Sequence, residues 1–167
     1  MTDAVPYQKP QPFGMPPEIY AAGALDVDAG LWIPQAPGVW FRPLVFGVST
    51  GYYVNLLRVR AAGVLSRHRH SGPVHAFTLR GTWRYLEHPW TARAGDYVYE
   101  PPGETHTLVV DGGEEMITLF HVTGGYTYVD PEGLATGYED VYTKLERARA
   151  YLHVLGTDAG TLEALIR

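Results

Sequence analysis

The chain has 167 residues, 46% of them hydrophobic, and no cysteine. That length suits one compact domain with its own core, and the missing thiols exclude a cysteine nucleophile, a CxxC redox pair, thiolate-held iron–sulfur clusters and cysteine-ligated zinc. A formal charge of -5 argues against a nucleic-acid partner, and no export leader or long apolar run points to a membrane, so the cytoplasm is the default compartment.

Residues 1–30 read as an extended arm, because Pro6, Pro10, Pro12, Pro16 and Pro17 oppose a helix. From Trp40 onward, short runs rich in Val, Tyr, Phe, Thr, Leu and Trp alternate with Gly and Pro. That texture predicts an all-β sandwich or barrel. Asp111-Gly112-Gly113 predicts a hairpin, and Arg80-Gly81-Thr82 another tight turn. No GxGxxG or GxxxxGK[ST] supports a nucleotide fold. Val141, Leu145, Ala148, Leu152 and Leu155 recur at helical spacing and predict an amphipathic helix of about four turns, ending near Gly156. Asp158 to Arg167 could form a second short helix. The expected division is an arm over 1–30, a barrel over 31–135 and a helical segment over 136–167 packed on it.

Four of the seven histidines, His68, His70, His75 and His88, fall close together. On a strand, His68 and His70 point the same way and Arg69 points away. Two imidazoles on one strand face need a third ligand. His106 is the natural source, because the turn Pro101-Pro102-Gly103-Glu104 swings the chain onto an adjacent strand.

These residues resemble the two motifs of the cupin superfamily. Gly63, His68, His70 and Gly81 match the first, with His75 where glutamate is usual; Gly95, Pro101, Gly103 and His106 match the second, with Val110 replacing a terminal asparagine. Within that superfamily the chain resembles the 2,4'-dihydroxyacetophenone dioxygenases, through VWFRPL at Val39–Leu44, GYYVNLLRVRAAGVLSRHRHSGPVH at Gly51–His75, YEPPGETHTLVV at Tyr99–Val110 and GYEDVYTKLE at Gly137–Glu146. The resemblance implies a double-stranded β-helix, a jelly-roll barrel. It also implies Fe(II) on His68, His70 and His106, and cleavage of the bond between the carbonyl and hydroxymethyl carbons of an aryl α-hydroxy ketone. The products would be an aryl carboxylate and formate, with both atoms of O2 incorporated.

Glu100 corresponds to a carboxylate beside the ligands in diketone-cleaving relatives and is the expected acid or base. His75 is the second expected catalytic residue, as a fourth ligand, as a group beside the ligands doing work similar to that of Glu100 or as a substrate contact; the remaining reading is a structural hydrogen bond. Tyr53, Phe77, Trp83, Tyr85, Tyr97, Tyr99 and Phe120 are candidate cavity walls, and Arg80, Arg84 and His88 are candidate partners for a phenol or carboxylate. The expected partners are a small ketone and O2, in a homodimer or homotetramer. Two other readings stay open: another metal-dependent cupin enzyme, such as a β-diketone-cleaving dioxygenase, isomerase or lyase, and a noncatalytic small-molecule-binding cupin.

Overall fold

The computed structural model describes residues 4–157 and 160–167. Met1–Asp3 of the arm, and Asp158 and Ala159 of the expected second helix, lie outside them. Twelve strands run from Ile33 to Glu139: β1 (Ile33–Ala36), β2 (Val39–Gly47), β3 (Tyr52–Val59), β4 (Gly63–His70), β5 (Val74–Arg80), β6 (Thr82–Tyr85), β7 (Ala92–Arg93), β8 (Tyr97–Glu100), β9 (Thr105–Val110), β10 (Met116–Thr123), β11 (Tyr126–Val129) and β12 (Ala135–Glu139). They form two six-stranded antiparallel sheets, ordered β1-β2-β3-β10-β5-β8 and β12-β11-β4-β9-β6-β7. From β3 to β11 every connection except β6–β7 crosses from one sheet to the other, the winding of a double-stranded β-helix.

Two expectations need correction here. Neither sheet closes into the expected jelly-roll barrel: β1 and β8 are the free edges of one sheet, β12 and β7 of the other. Those edge strands are short, with four residues in β1 and β8, five in β12 and two in β7, so each offers few backbone groups for pairing with the facing sheet. Nor is Asp111-Gly112-Gly113 a hairpin, since β9 pairs with β4 and β6 while β10 pairs with β3 and β5. The turn at Gly81 likewise carries the chain between sheets. Gly81 has φ +67, and a Cβ there would meet the Glu115 carbonyl oxygen at 2.5 Å, so only glycine fits that corner.

The core lies between the sheets, with Phe41, Val59, Trp83 and Met116 all buried. Trp83 satisfies its indole by donating from Nε1 to Thr78 Oγ1 at 2.8 Å. A smaller cluster on the other face of β3 and β10 joins Leu56 and Ile117 to Val27 and Trp32. The segment before β1 is therefore tied down at its C-terminal end. Arg42 reinforces this by donating to the carbonyls of Asp26 at 2.7 Å and Ala29 at 3.0 Å.

The C-terminal helix, α1, spans Val141–Leu155. Asp140 caps it: its carboxylate accepts from the Thr143 amide at 2.8 Å, and the Thr143 hydroxyl accepts from the Asp140 amide at 2.8 Å. Gly156, with φ 65, ends it in the left-handed conformation. Its buried stripe is Val141, Lys144, Leu145, Ala148 and Leu152, and it packs on β1 and β2. A short turn of helix, α2 (Gly160–Glu163), follows and buries Leu162. Among the described residues no helix is long and apolar enough to cross a membrane.

Candidate metal centre

Strand parity builds the site. On β4, His68 and His70 are buried while Arg69 between them is exposed. β9 lies beside β4 with His106 directly opposite His68 in the ladder. The corner between β8 and β9 sets that register, since the Gly103 amide donates to the His70 carbonyl at 2.9 Å. The three imidazoles present ligand nitrogens that all lie within 4.8 Å of one another.

The details fit a bound ion. His68 Nε2 and His106 Nε2 are 3.2 Å apart. Two nitrogens each about 2.1 Å from one ion, at angles between about 90° and 109°, stand about 3.0–3.4 Å apart. Ser66 Oγ contacts His68 Nδ1 at 3.0 Å, which orients that ring and leaves Nε2 free to ligate. Tyr85 stacks on His106 with ring centroids 3.6 Å apart and planes at 7°. Burial, reinforced by the neighbouring imidazoles, lowers His68 well below the ordinary histidine range. Burial also pushes His106 down to about 4, against the pull of Glu100. Both rings are therefore neutral at pH 7, with lone pairs available to a metal.

Glu100 completes the cluster. Its Oε1 accepts from the Tyr85 hydroxyl at 2.6 Å. Its Oε2 lies 3.0 Å from His70 Nε2 and 3.6 Å from His106 Nε2. Yet neither Glu100 Oε2 nor His70 Nε2 makes an aligned hydrogen bond. His70 Nε2 is thus free to ligate, and Glu100 Oε2 stands beside it with its hydrogen-bonding capacity unspent.

The structure does not bring His75 to this cluster. Val74 and Ala76 are the buried residues of β5, so His75 points to the opposite face of the sheet. There its Nδ1 contacts the Tyr97 hydroxyl at 2.7 Å, and its ring stacks on His121. The candidate wall residues divide by the same parity. Tyr53, Trp83, Tyr85 and Phe120 are buried, whereas Phe77, Tyr97 and Tyr99 are each about half exposed on the outer face. Arg80, Arg84 and His88 are occupied elsewhere, in contacts with Glu115, Asp111 and Glu104 at 3.1, 3.0 and 2.7 Å.

A cavity of about 190 Å³ opens from His68 and His70 between the sheets. Its far end holds residues the sequence reading missed: Glu139 at the end of β12, and Lys144 and Arg147 from α1. Lys144 Nζ donates to Gln35 Oε1 at 2.5 Å and stands 3.6 Å from Glu139 Oε1, while Arg147 Nη1 is 3.3 Å from the same oxygen. Burial pulls Lys144 down to about 8, against the attraction of Glu139. A run of tyrosines joins the two ends. The Tyr126 ring lies 4.7 Å from that of His68, its hydroxyl is 3.4 Å from that of Tyr128, and Tyr128 donates to Glu139 Oε2 at 2.9 Å. Asn55 also lines the cavity, with its buried side-chain oxygen unpartnered.

Two facing antiparallel sheets wound in this way, with a buried three-histidine cluster at the head of the cavity, define a cupin with a transition-metal site. The model of the ChrR cupin-like domain matches residues 21–127, and the chain belongs to that family. It is similar to an RmlC-like cupin protein from Ralstonia eutropha JMP134, with 32% identity, a TM-score of 0.75, and coverage of 80% of this chain and 88% of that one. It shares its fold with the acetylacetone dioxygenase of Acinetobacter johnsonii, with 15% identity, a TM-score of 0.67, and coverage of 87% and 99%. A search of curated proteins finds no match.

Proposed function

We propose that the chain is a metal-dependent cupin dioxygenase that cleaves a C–C bond of a small, metal-chelating ketone. The observation that carries this reading is the open Oε2 of Glu100 beside three converging imidazoles at the head of a buried cavity. His68, His70 and His106 would hold the ion, and Fe(II) is the ion the sequence resemblance favours. All-imidazole ligation is neutral, so a bound dication keeps its full charge and supplies Lewis acidity and a route to O2. Glu100 receives a proton at Oε2 as the substrate becomes its enolate, while Tyr85 fixes the carboxylate through Oε1. Tyr53, Tyr85 and Phe120 wall off water.

Among chelating ketones we place β-diketones first. The carboxylate at Glu100 suits removal of the acidic proton between two carbonyls, and the shared fold with an acetylacetone dioxygenase agrees with it. The aryl α-hydroxy ketone suggested by the sequence runs is the second substrate to screen. Anaerobic reconstitution with Fe(II), then O2 uptake and mass spectrometry of products from both classes, tests the reading. Acid products with O2 consumed are expected. No uptake with either class would refute it, and turnover without O2 would assign an isomerase or lyase instead.

A further inference from the structure

The far end of the cavity is built from charge. Lys144 and Arg147 are the cations, and Glu139 is the one acid that either of them contacts among the described residues. One positive charge is left over, beside a side chain, Lys144, that is only 3% exposed. Arg147 is 37% exposed and partly solvated, but the buried ammonium of Lys144 shares its carboxylate with it, so an anion entering the cavity would be favoured there. A strut between α1 and the sheet would need only one cation per carboxylate, and apolar residues serve that purpose as well.

The donors are also under-used. Glu139 Oε1 makes no aligned hydrogen bond although both cations stand within 3.6 Å of it. Lys144 has three N–H donors and Arg147 five. The single hydrogen bond of Lys144 to a side chain goes to Gln35. Unspent donors from two cations, facing one cavity, match the two oxygens of a carboxylate.

We infer that the substrate is an anionic ketone: it chelates at the His68 end and is recognised by Lys144 and Arg147 through a carboxylate at its other end. This rests on the metal-dependent reading above for the chelating end alone. The neutral hydroxyls of Tyr126 and Tyr128 line the path between the ends. Burial raises both tyrosines above their ordinary range, Tyr128 to about 12, so they add no charge that would repel the anion.

The probes are benzoylacetone and its para-carboxylate derivative, titrated calorimetrically into the full chain, metal-free and zinc-loaded. The carboxylate probe should bind about tenfold tighter or more. That advantage should shrink to about threefold or less in Arg147→Gln and in Lys144→Gln, with affinity for benzoylacetone unchanged. No preference in the wild-type chain, or a preference that survives both substitutions, overturns the assignment. If Lys144→Gln does not fold, Arg147→Gln decides alone, since that side chain is partly exposed. If the iron-loaded enzyme consumes O2 with neither probe while the preference holds, the β-diketone assignment fails and the anion site stands.

Discussion

Replacing Glu100 with glutamine separates proton handling from metal holding. Glutamine keeps the volume and keeps an oxygen that can accept from Tyr85, now at 2.6 Å from Glu100 Oε1. It puts an amide in place of the Oε2 that lies 3.0 Å from His70 Nε2. Trading a charge-assisted hydrogen bond for a neutral one costs about 1 kcal/mol, a fall of about 2–4 °C in the melting midpoint for a chain of this size. The fold should therefore survive. The three imidazoles are untouched, so metal affinity should weaken by no more than about 10–100-fold, as for other changes beside a ligand. Turnover per bound metal should fall about 10²- to 10⁴-fold, the range of a lost general base.

The assay is anaerobic reconstitution of both proteins in excess Fe(II), metal analysis after desalting, and O2 uptake normalised to bound metal. Unchanged turnover per metal would refute the proton-handling role. Complete loss of metal from a folded variant would refute the division of labour in a different way, by making Glu100 a ligand.

Alanine at His68, His70 or His106 should each abolish stoichiometric metal binding while circular dichroism stays native, whereas His75→Ala, which faces away, should leave turnover per metal within about twofold. Lys144 faces Glu139, Gln35, Arg147 and the ring of Phe41, and its folded value of about 8 lies below 10.5. Between those values the unfolded chain binds the extra proton, so stability should rise with pH by up to about 3 kcal/mol; urea midpoints of the wild type and Lys144→Gln from pH 7 to 10.5 check it, and parallel profiles would refute it. Asp140→Ala removes the cap of α1 and should cost about 1 kcal/mol in urea unfolding.

The histidine cluster was legible because its causes are local. Alternation along β4 settles the side on which His68 and His70 stand, and the Pro-Gly corner places His106 opposite them. The connectivity was less legible. Gly81 and Asp111-Gly112-Gly113 have the chemistry of tight turns, yet a glycine with positive φ serves a sheet-crossing corner as well as a hairpin. Which of the two forms depends on partners far along the chain. Lys144 and Arg147 were missed because their role comes from where α1 docks. A signal was present all the same: Lys144 stands three residues after Val141 and four before Ala148, inside the apolar stripe, where a lysine belongs only if something in the interior requires it.

His75 and Glu100 show how one register explains both an apparent loss and its replacement. A histidine stands at position 75, where cupin motifs usually carry a glutamate, but it supplies nothing to the centre because Val74 and Ala76 hold the inward positions of β5. β8 pairs with β5 so that Glu100 lies directly opposite Val74, and His75 opposite Tyr99. In an antiparallel ladder, paired residues share a face. Glu100 must therefore point inward with Val74, and Tyr99 outward with His75, as their burial confirms. The carboxylate beside the imidazoles comes from the neighbouring strand, held by Tyr85 of β6. A carboxylate anchored through one oxygen by a tyrosine, with its other oxygen open, is better placed to exchange a proton than to serve as a fixed ligand.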